Sequence, residues 1–402
     1  MRARGLLTTA ALAALAIGFW VAPTYRAGPP RDFEAYYAAG ATWLAGHDPY
    51  SRDVWQYERR LPGVDARRDE LLPYVGPPYA LPPLAVVSLV PFSVASTVWR
   101  VLLGLCFVTF VLACLKLAGR DAGRREALAA LAAGAAFGPL SAALALGQLA
   151  AVSCAALALT LVAYEARSQI GLFAGTLATA LQPNLALPLT ALLRERGGRL
   201  ALAAALVTLA VLLLLTAGGS SGVGHYVRML VAHARVERFL AIQTTPAAVV
   251  RALGFSTDTT GRFAGGLAAF VFGVLALQVT SPRYDAVAGV ALACAALPLA
   301  LPFAHEHDLA VTFLPALLCL RRARGIVWLG AALGTLLVAT NWLLLAQVPG
   351  SAASGVALAL CLGLALAVLA PGALHPLHFV PLLVVALIVP LGGLAAQHPL
   401  PV

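Results

Sequence analysis

Residues 97–118 read TVWRVLLGLCFVTFVLACLKLA, a run of 22 residues in which only Arg100 and Lys116 carry a charge. A helix needs roughly 20 predominantly apolar residues to cross the hydrocarbon core of a bilayer. The stretch therefore predicts a membrane-spanning helix.

Comparable apolar runs recur along the whole chain. Of the 402 residues, 61% are hydrophobic and 11% are charged, whereas a soluble domain carries about 25% charged residues. The composition predicts an all-α polytopic membrane protein, a single membrane domain over residues 1–402 with about 11 to 13 transmembrane segments. The predicted spans are 6–24, 97–118, 127–146, 149–166, 171–193, 200–218, 263–280, 286–303, 309–320, 325–346, 355–371 and 378–395. We expect the first to be a retained signal-anchor rather than a cleaved leader, because many further spans follow it.

The positive charge of the chain indicates which loops face the cytoplasm. The formal net charge is +10, and the cations cluster in short loops between spans, as the positive-inside rule describes. This placement argues against nucleic-acid binding. Residues 25–96 and 219–262 then form two long outer loops. The inside clusters are Arg120, Arg124 and Arg125; Arg194, Arg196 and Arg199; and Arg321, Arg322 and Arg324.

Both outer loops have the pattern of amphipathic helices. FEAYYAAGATWLAG at 33–46 carries its aromatic residues at helical spacings, and HYVRMLVAHARVERFL at 225–240 mixes apolar residues with Arg and His. The second pattern is typical of a helix lying at a membrane interface. Loops longer than about 12–15 residues are usually functional or disordered, and this composition favours function.

The predicted span at 171–193 disturbs the inside–outside alternation, because a single crossing would place the Arg cluster at 194–199 outside. Within GTLATALQPNLALPLTALL, residues 175–193, Pro183 removes a helical hydrogen bond and Asn184 can turn the chain. Two half-helices could therefore enter and return on the same side, which membranes tolerate where broken backbone is buried in protein. A single kinked span remains the alternative.

Asp32 stands just before a helical pattern and admits two interpretations. It can be the helix N-cap, with Glu34 in the first turn. It can also be a carboxylate base at the outer membrane face, where it would take the proton of an acceptor hydroxyl. The two roles do not exclude each other.

The sequence HEHD at 305–308 is a second polar cluster, at the outer end of a predicted span. His305 and His307 are two residues apart and do not share a helical face, so we expect no metal site. His307 and Asp308 could orient a substrate phosphate or sugar, or the cluster could cap the following helix.

Three uncharged polar residues lie in apolar surroundings, where an unpaired polar group costs free energy. Gln148, Gln182 and Asn184 either join helix to helix or line a site. Isolated Cys residues in apolar runs are interpreted as small core residues rather than disulfides or ligands. Five of the six are Cys106, Cys114, Cys154, Cys294 and Cys319.

The stretch DFEAYYAAGATWLAGHDPY at 32–50 resembles the D-F-x-x-Y-Y opening of the family 87 glycosyltransferases, which belong to the GT-C superfamily. Further blocks follow in the family's order, with Gln182 standing where the family has Lys and His307 where it has Tyr. They are PPLAVVSLVPFSVASTVW at 82–99, GQLAAVSCAALAL at 147–159, ALQPNLALPLTALL at 180–193, IQTTPAAVVRALG at 242–254 and LPFAHEHDLAVTFLPALL at 301–318.

The resemblance implies a GT-C-like helical bundle and an inverting transferase that uses a polyprenyl-phosphate sugar, with mannose or arabinofuranose as the sugar. It implies Asp32 as the catalytic base and Arg251 as a clamp for the departing phosphate. No metal or other cofactor is expected. Substrate-binding residues would be Tyr36, Tyr50, Gln148, Gln182, Asn184, Gln243, Arg251, His307 and Asp308.

The expected partners are the lipid-linked donor, a lipid or glycan acceptor and membrane lipids, in the bacterial cytoplasmic membrane. We expect the polar residues from distant segments to line one cavity in the outer half. Two alternatives stay open: a transporter or flippase, which broken helices also favour, and a non-catalytic membrane assembly protein.

Overall fold

The computed structural model describes residues 30–62, 71–119, 123–237, 243–280 and 285–322, and every regular element within these ranges is helical. The all-α prediction is therefore confirmed for this part of the chain. The predicted spans at 6–24, 325–346, 355–371 and 378–395 lie outside it. The helices are α1 Arg31–Leu44, α2 Asp53–Arg59, α3 Leu81–Ser88, α4 Phe92–Leu117, α5 Arg124–Ala136, α6 Gly138–Leu146, α7 Ala150–Glu165, α8 Gln169–Thr179, α9 Pro183–Ala186, α10 Arg196–Thr216, α11 Ser220–Glu237, α12 Pro246–Ala252, α13 Thr257–Thr280, α14 Ala286–Ala296 and α15 Phe313–Arg322. Short 3₁₀ helices cover Pro78–Ala80, Leu187–Arg194, Leu297–Leu299 and Glu306–Thr312.

Within the described part of the chain, two helices are long and apolar enough to cross a bilayer. α4 has 26 residues and α10 has 21, so at 1.5 Å per residue each reaches about 30 Å or more, the thickness of the hydrocarbon core. The outer face of α10 exposes Leu200, Val207 and Leu215 by 65–74%. Such an apolar face is unfavourable in water and favourable in lipid. The chain is thus a helical membrane protein, and the total number of its crossings stays a prediction.

The predicted single span at 127–146 is bent. Glu126–Ala135 and Gly138–Leu146 meet at 68°, and the two segments together would make a third candidate span. Pro139 causes the bend, because it cannot donate to the carbonyl of Ala135 and its ring disfavours a continuous helix. The Ser141 hydroxyl donates to that carbonyl at 2.6 Å instead, so the freed acceptor remains satisfied.

The chain also breaks where Pro183 predicted it. α8 ends at Thr179, Gln182 is extended with φ −124° and ψ 94°, and Pro183 opens the four-residue α9. The carbonyl of Ala180 at the break accepts a hydrogen bond from the Tyr79 hydroxyl at 2.8 Å. The break is confirmed, whereas the return of both half-helices to the same membrane side stays a prediction.

The first outer loop folds into helices that pack on the membrane-spanning body. Phe33 of α1 is fully buried, and its ring centroid lies 5.0 Å from that of Trp99 and 5.9 Å from that of Phe92. Gly40 faces the backbone of Leu84 in α3 so closely that an added Cβ would overlap the Leu84 carbonyl. These contacts fix α1 across the end of α4.

The segment predicted as the second outer loop contains the helix α11 that its pattern predicted, and α13 begins at Thr257 within the same segment. α11 contacts the first loop, because Nε2 of His225 lies 3.0 Å from Oδ2 of Asp48. The ring centroids of Tyr226 and Tyr50 lie 5.2 Å apart. Within the described part of the chain, Cys106, Cys114, Cys154 and Cys294 are free thiols.

Candidate active site

Asp32 lies in the first turn of α1, and the prediction that it caps the helix is wrong. The N-cap position belongs to Pro30, which makes no side-chain cap hydrogen bond. The Asp32 carboxylate instead faces the protein interior, where Oδ2 accepts a hydrogen bond from the Gln148 amide. The other end of that amide, Oε1, accepts from the Tyr36 hydroxyl. Asp32, Gln148 and Tyr36 therefore form one connected group.

A tight turn delivers Gln148 to Asp32. α6 ends at Gly147, which has a left-handed φ of 79° and is the kind of residue that such a helix end favours. A Cβ on Gly147 would lie 2.6 Å from Cβ of Pro30, so any larger residue would push the turn away from α1. The indole of Trp99 donates to the Gly147 carbonyl at 2.9 Å and holds the turn in place.

The environment of Asp32 suits a base that works near neutral pH. Burial raises the pKa of the carboxyl to about 6, against the opposing effects of the Gln148 hydrogen bond and the charge of His305. The carboxyl is consequently ionised above pH 6 yet holds a proton more readily than an exposed Asp, as general-base catalysis favours.

Asp308 organises a second polar group. Its Oδ1 accepts from the Gln182 amide at 2.7 Å and from the Asn184 amide at 2.9 Å, and its Oδ2 accepts from the backbone N–H of His305 at 2.9 Å. The predicted cap at this helix start and the predicted links between helices are thus both present. Among the described residues, the buried Oε1 of Gln182 has no hydrogen-bond partner.

His305 is coupled by charge to both groups, through Asp308 and Asp32. Its Nε2 is 3.5 Å from Oε2 of Glu237 and 3.1 Å from the amide nitrogen of Gln243. Burial lowers its pKa, but Glu237, Asp308 and Asp32 together raise it above its ordinary value of 6.5. The imidazolium and the Asp32 carboxylate therefore favour each other's charged forms.

His307 differs from His305 in its charge. The two rings stack with centroids 5.5 Å apart and planes 8° from parallel. His307 is buried, and burial lowers its pKa to about 4. It is neutral at physiological pH and can exchange hydrogen bonds with a ligand without adding charge.

The segment around Gln243 joins the second outer loop to the histidine cluster. Gln243 is fully buried, and its Oε1 accepts from the backbone N–H of Ala304 at 2.8 Å. The backbone N–H of Thr244 donates to the Ala304 carbonyl at 2.7 Å. Gln243 therefore positions His305 as well as contacting it.

Two sequence candidates lie away from these groups. Arg251 is exposed, and its guanidinium donates to the Phe255 carbonyl at 2.7 Å. Among the described residues, no hydrogen bond or ion pair joins it to the other candidates. The Tyr50 hydroxyl donates to the Gly76 carbonyl at 2.9 Å. Its ring is linked to Tyr36 through Tyr74, whose ring centroid lies 5.5 Å from that of Tyr50 and 6.4 Å from that of Tyr36.

Sequence reasoning missed Glu237 and did not select His305. Glu237 ends a stretch whose alternating apolar and basic residues indicated an interfacial surface. Its partner lies 68 residues further along the chain, and no local spacing records such a contact. The only signal was the position of His305 beside two selected residues, His307 and Asp308.

The donor atoms of His305, His307 and Asp308 lie within 4.8 Å of one another, which raises the question of a metal. Asp308 already accepts three hydrogen bonds, from Gln182, Asn184 and the His305 backbone. His305 directs Nε2 at Glu237 Oε2, the oxygen to which the Gln243 amide also donates. These groups are committed to one another, so the arrangement fits a hydrogen-bonded network better than a metal centre.

The fold and the site define a helical membrane protein whose polar site combines a carboxyl group and an imidazole that both have raised pKa values. Residues 74–304 match the sequence model of Glycosyltransferase family 87, which is more than half of the chain. The protein therefore belongs to family 87 and is a glycosyltransferase. No curated protein and no solved structure is significantly similar to it.

The matched region contains only part of the polar site. Gln148, Gln182 and Gln243 lie inside residues 74–304, whereas Asp32 and Asp308 lie outside. Hydrogen bonds nonetheless join the two sets, from Gln148 to Asp32 and from Gln182 to Asp308. The segments on either side of the family match thus complete the site that the matched segment begins.

Proposed function

We propose that the protein transfers a sugar, mannose or arabinofuranose, from a polyprenyl-phosphate donor to a hydroxyl group of a lipid or glycan acceptor. The reaction takes place at the outer face of the bacterial cytoplasmic membrane and inverts the anomeric carbon. The observation that carries the proposal is Asp32, a half-buried residue whose carboxyl group accepts from Gln148, has a pKa of about 6 and is coupled by charge to His305.

The chemistry follows from these two groups. Asp32 takes the proton of the acceptor hydroxyl, and the acceptor oxygen forms a bond to the anomeric carbon. The bond from that carbon to the phosphate oxygen breaks on the opposite face, and its electron pair leaves with the polyprenyl phosphate. His305 stabilises the charge that develops on the departing phosphate, and Glu237 keeps His305 protonated.

Further residues are proposed to hold the sugar. The unpartnered Oε1 of Gln182 is an acceptor that a sugar hydroxyl would satisfy, since an unmade buried hydrogen bond costs about 1–3 kcal/mol. Asn184 donates to the same Asp308 oxygen as Gln182, and His307 precedes Asp308 in the chain. Both would set the orientation of the same sugar ring. Arg251 stays a prediction as the phosphate clamp, and it would first have to release the Phe255 carbonyl.

A transporter or flippase is the competing proposal. The break at Pro183, with Gln182 and Asn184 on either side, is the kind of interrupted helix that transporters use for substrate sites. A transporter would move its lipid substrate intact, whereas a transferase consumes the donor and releases polyprenyl phosphate.

Purified protein incubated with a polyprenyl-phosphate donor carrying a radiolabelled sugar separates these proposals. We expect the label to move into an acceptor in step with release of polyprenyl phosphate. Analysis of the product linkage against that of the donor would establish inversion. Movement of intact donor across a vesicle membrane without label transfer would contradict the transferase proposal.

A further inference from the structure

A cavity of about 430 Å³ lies at the C-terminal end of α1, where the segments of the two predicted outer loops meet. Trp43 and Tyr50 contribute aromatic surface, and Asp48 and His225 contribute polar edges. The volume falls in the range of small-molecule sites, about 300–1,000 Å³. None of the contacts proposed for sugar transfer uses this cavity.

The chemistry of the lining favours a neutral ligand rich in hydroxyl groups. Thr216 and Ala217 bring the C-terminal end of α10 to the cavity, and Gly46 follows the C-terminal end of α1. Helix C-termini present carbonyl oxygens and partial negative charge. The described lining contains no Arg or Lys and includes the Asp48 carboxylate. This carboxylate accepts from the Tyr50 backbone N–H and pairs with His225, and its remaining lone pairs can accept from ligand hydroxyl groups.

The cavity and Asp32 lie at opposite ends of the same helix, α1. Trp43 lies eleven residues after Asp32 on the continuous helix α1, which at 1.5 Å per residue separates them by roughly 16 Å. The rings of Tyr50, Tyr74 and Tyr36 lie between the two places, with neighbouring centroids 5.5 Å and 6.4 Å apart. A sugar chain of several units, unlike a single ring, could reach from one to the other.

We propose that this cavity binds acceptor carbohydrate remote from the reacting hydroxyl, so that the preferred acceptor carries a glycan several sugar units long. The sugar rings pack against Trp43 and Tyr50, and their hydroxyl groups donate to Asp48 and to the carbonyl ends of α1 and α10. The inference rests on the proposed function, since it takes Asp32 as the point where the acceptor hydroxyl reacts.

Transfer kinetics with acceptors of two lengths test this inference. Octyl-tailed acceptors with one and with four sugar units, made from mannose and from arabinofuranose, serve as probes for the full-length enzyme. We expect Trp43→Ala and Asp48→Asn to raise KM for the four-unit acceptor about tenfold with kcat little changed. KM for the one-unit acceptor should stay within twofold. An equal change for both lengths, or no change for either, would overturn the proposal.

A direct binding measurement tests the carbohydrate subsite independently of sugar transfer. Saturation-transfer NMR with free tetrasaccharides of mannose and of arabinofuranose requires no turnover. We expect one of them to bind the wild-type protein and to lose that signal in Trp43→Ala. The exposed controls Phe255→Ala and Asp258→Asn should keep the signal. Failure of both tetrasaccharides to bind, or binding that survives Trp43→Ala, would refute the subsite even if sugar transfer were established.

Discussion

At the scale of single residues, the proposed chemistry depends on how the surroundings alter ordinary side chains. Asp32 is an unremarkable residue in the sequence, one of two carboxylates within three positions. Burial raises the pKa of Asp32, which favours the neutral form of the carboxyl group. Glu237 raises the pKa of His305, which favours the charged form of the imidazole. Each pKa shift has a separable cause, so each can be tested by removing one neighbour.

The acid side of the pH profile should report Asp32. The base must be deprotonated to act, so kcat/KM should fall as the pH drops through about 6. The Gln148 hydrogen bond lowers this pKa and the nearby Glu34 raises it. We therefore expect Gln148→Leu to move the acid limb to higher pH and Glu34→Gln to move it to lower pH. If the acid limbs of both variants coincided with that of the wild type, a group other than Asp32 would be responsible for it.

The alkaline side should report His305. This residue must be protonated to stabilise the departing phosphate, so activity is retained until the pH rises through its raised pKa. Of the groups that raise the pKa of His305, Glu237 has the largest effect. We expect Glu237→Gln to shift the alkaline limb of kcat to lower pH while leaving the acid limb in place. An unchanged alkaline limb would assign the charge to another residue.

At the scale of elements, the contact between α1 and α3 sets the position of Asp32. Gly40→Ala should destabilise the protein by about 1–3 kcal/mol, the usual cost of forcing atoms into a packed interface, because its Cβ would overlap the Leu84 carbonyl. Gly104→Ala on α4 is the matched control, since nothing lies within 4 Å of an added Cβ there. Thermal unfolding in detergent measures both. Equal stability of the two variants would contradict the packing described.

The sequence predicts those helices and helix breaks that have a local cause, but not the contacts between distant segments. Helix α1 and the break at Pro183 depend on local spacing and on proline chemistry, and both were predictable. The bend at Pro139 had the same local cause, but the apolar run around it indicated one straight span. The pairing of Glu237 with His305 was not predictable, because it joins α11 to a segment 68 residues later. Of the candidate site, Gln148, Gln182, Asn184 and Asp308 were found because polar residues are conspicuous in apolar surroundings.

At the scale of the whole molecule, topology decides which face the site opens to. In the predicted topology, the break at Pro183 lets the Arg cluster at 194–199 stay inside while the predicted second outer loop stays outside. In a background lacking native Cys, we expect Arg196→Cys in intact cells to resist a membrane-impermeant thiol reagent and Ser256→Cys to react. Reaction at position 196 would refute the returning half-helices and place that loop outside.

The central claim is that Asp32 is the base of the transfer reaction. The most direct measurement is the rate of sugar transfer per folded enzyme for Asp32→Asn beside Glu34→Gln. The Asn side chain keeps the size of Asp but cannot take the acceptor proton, so we predict a fall of roughly 10²–10⁴-fold with normal accumulation and donor binding. Glu34→Gln should keep most of the activity. Near-normal transfer by the folded Asp32→Asn variant would contradict the account.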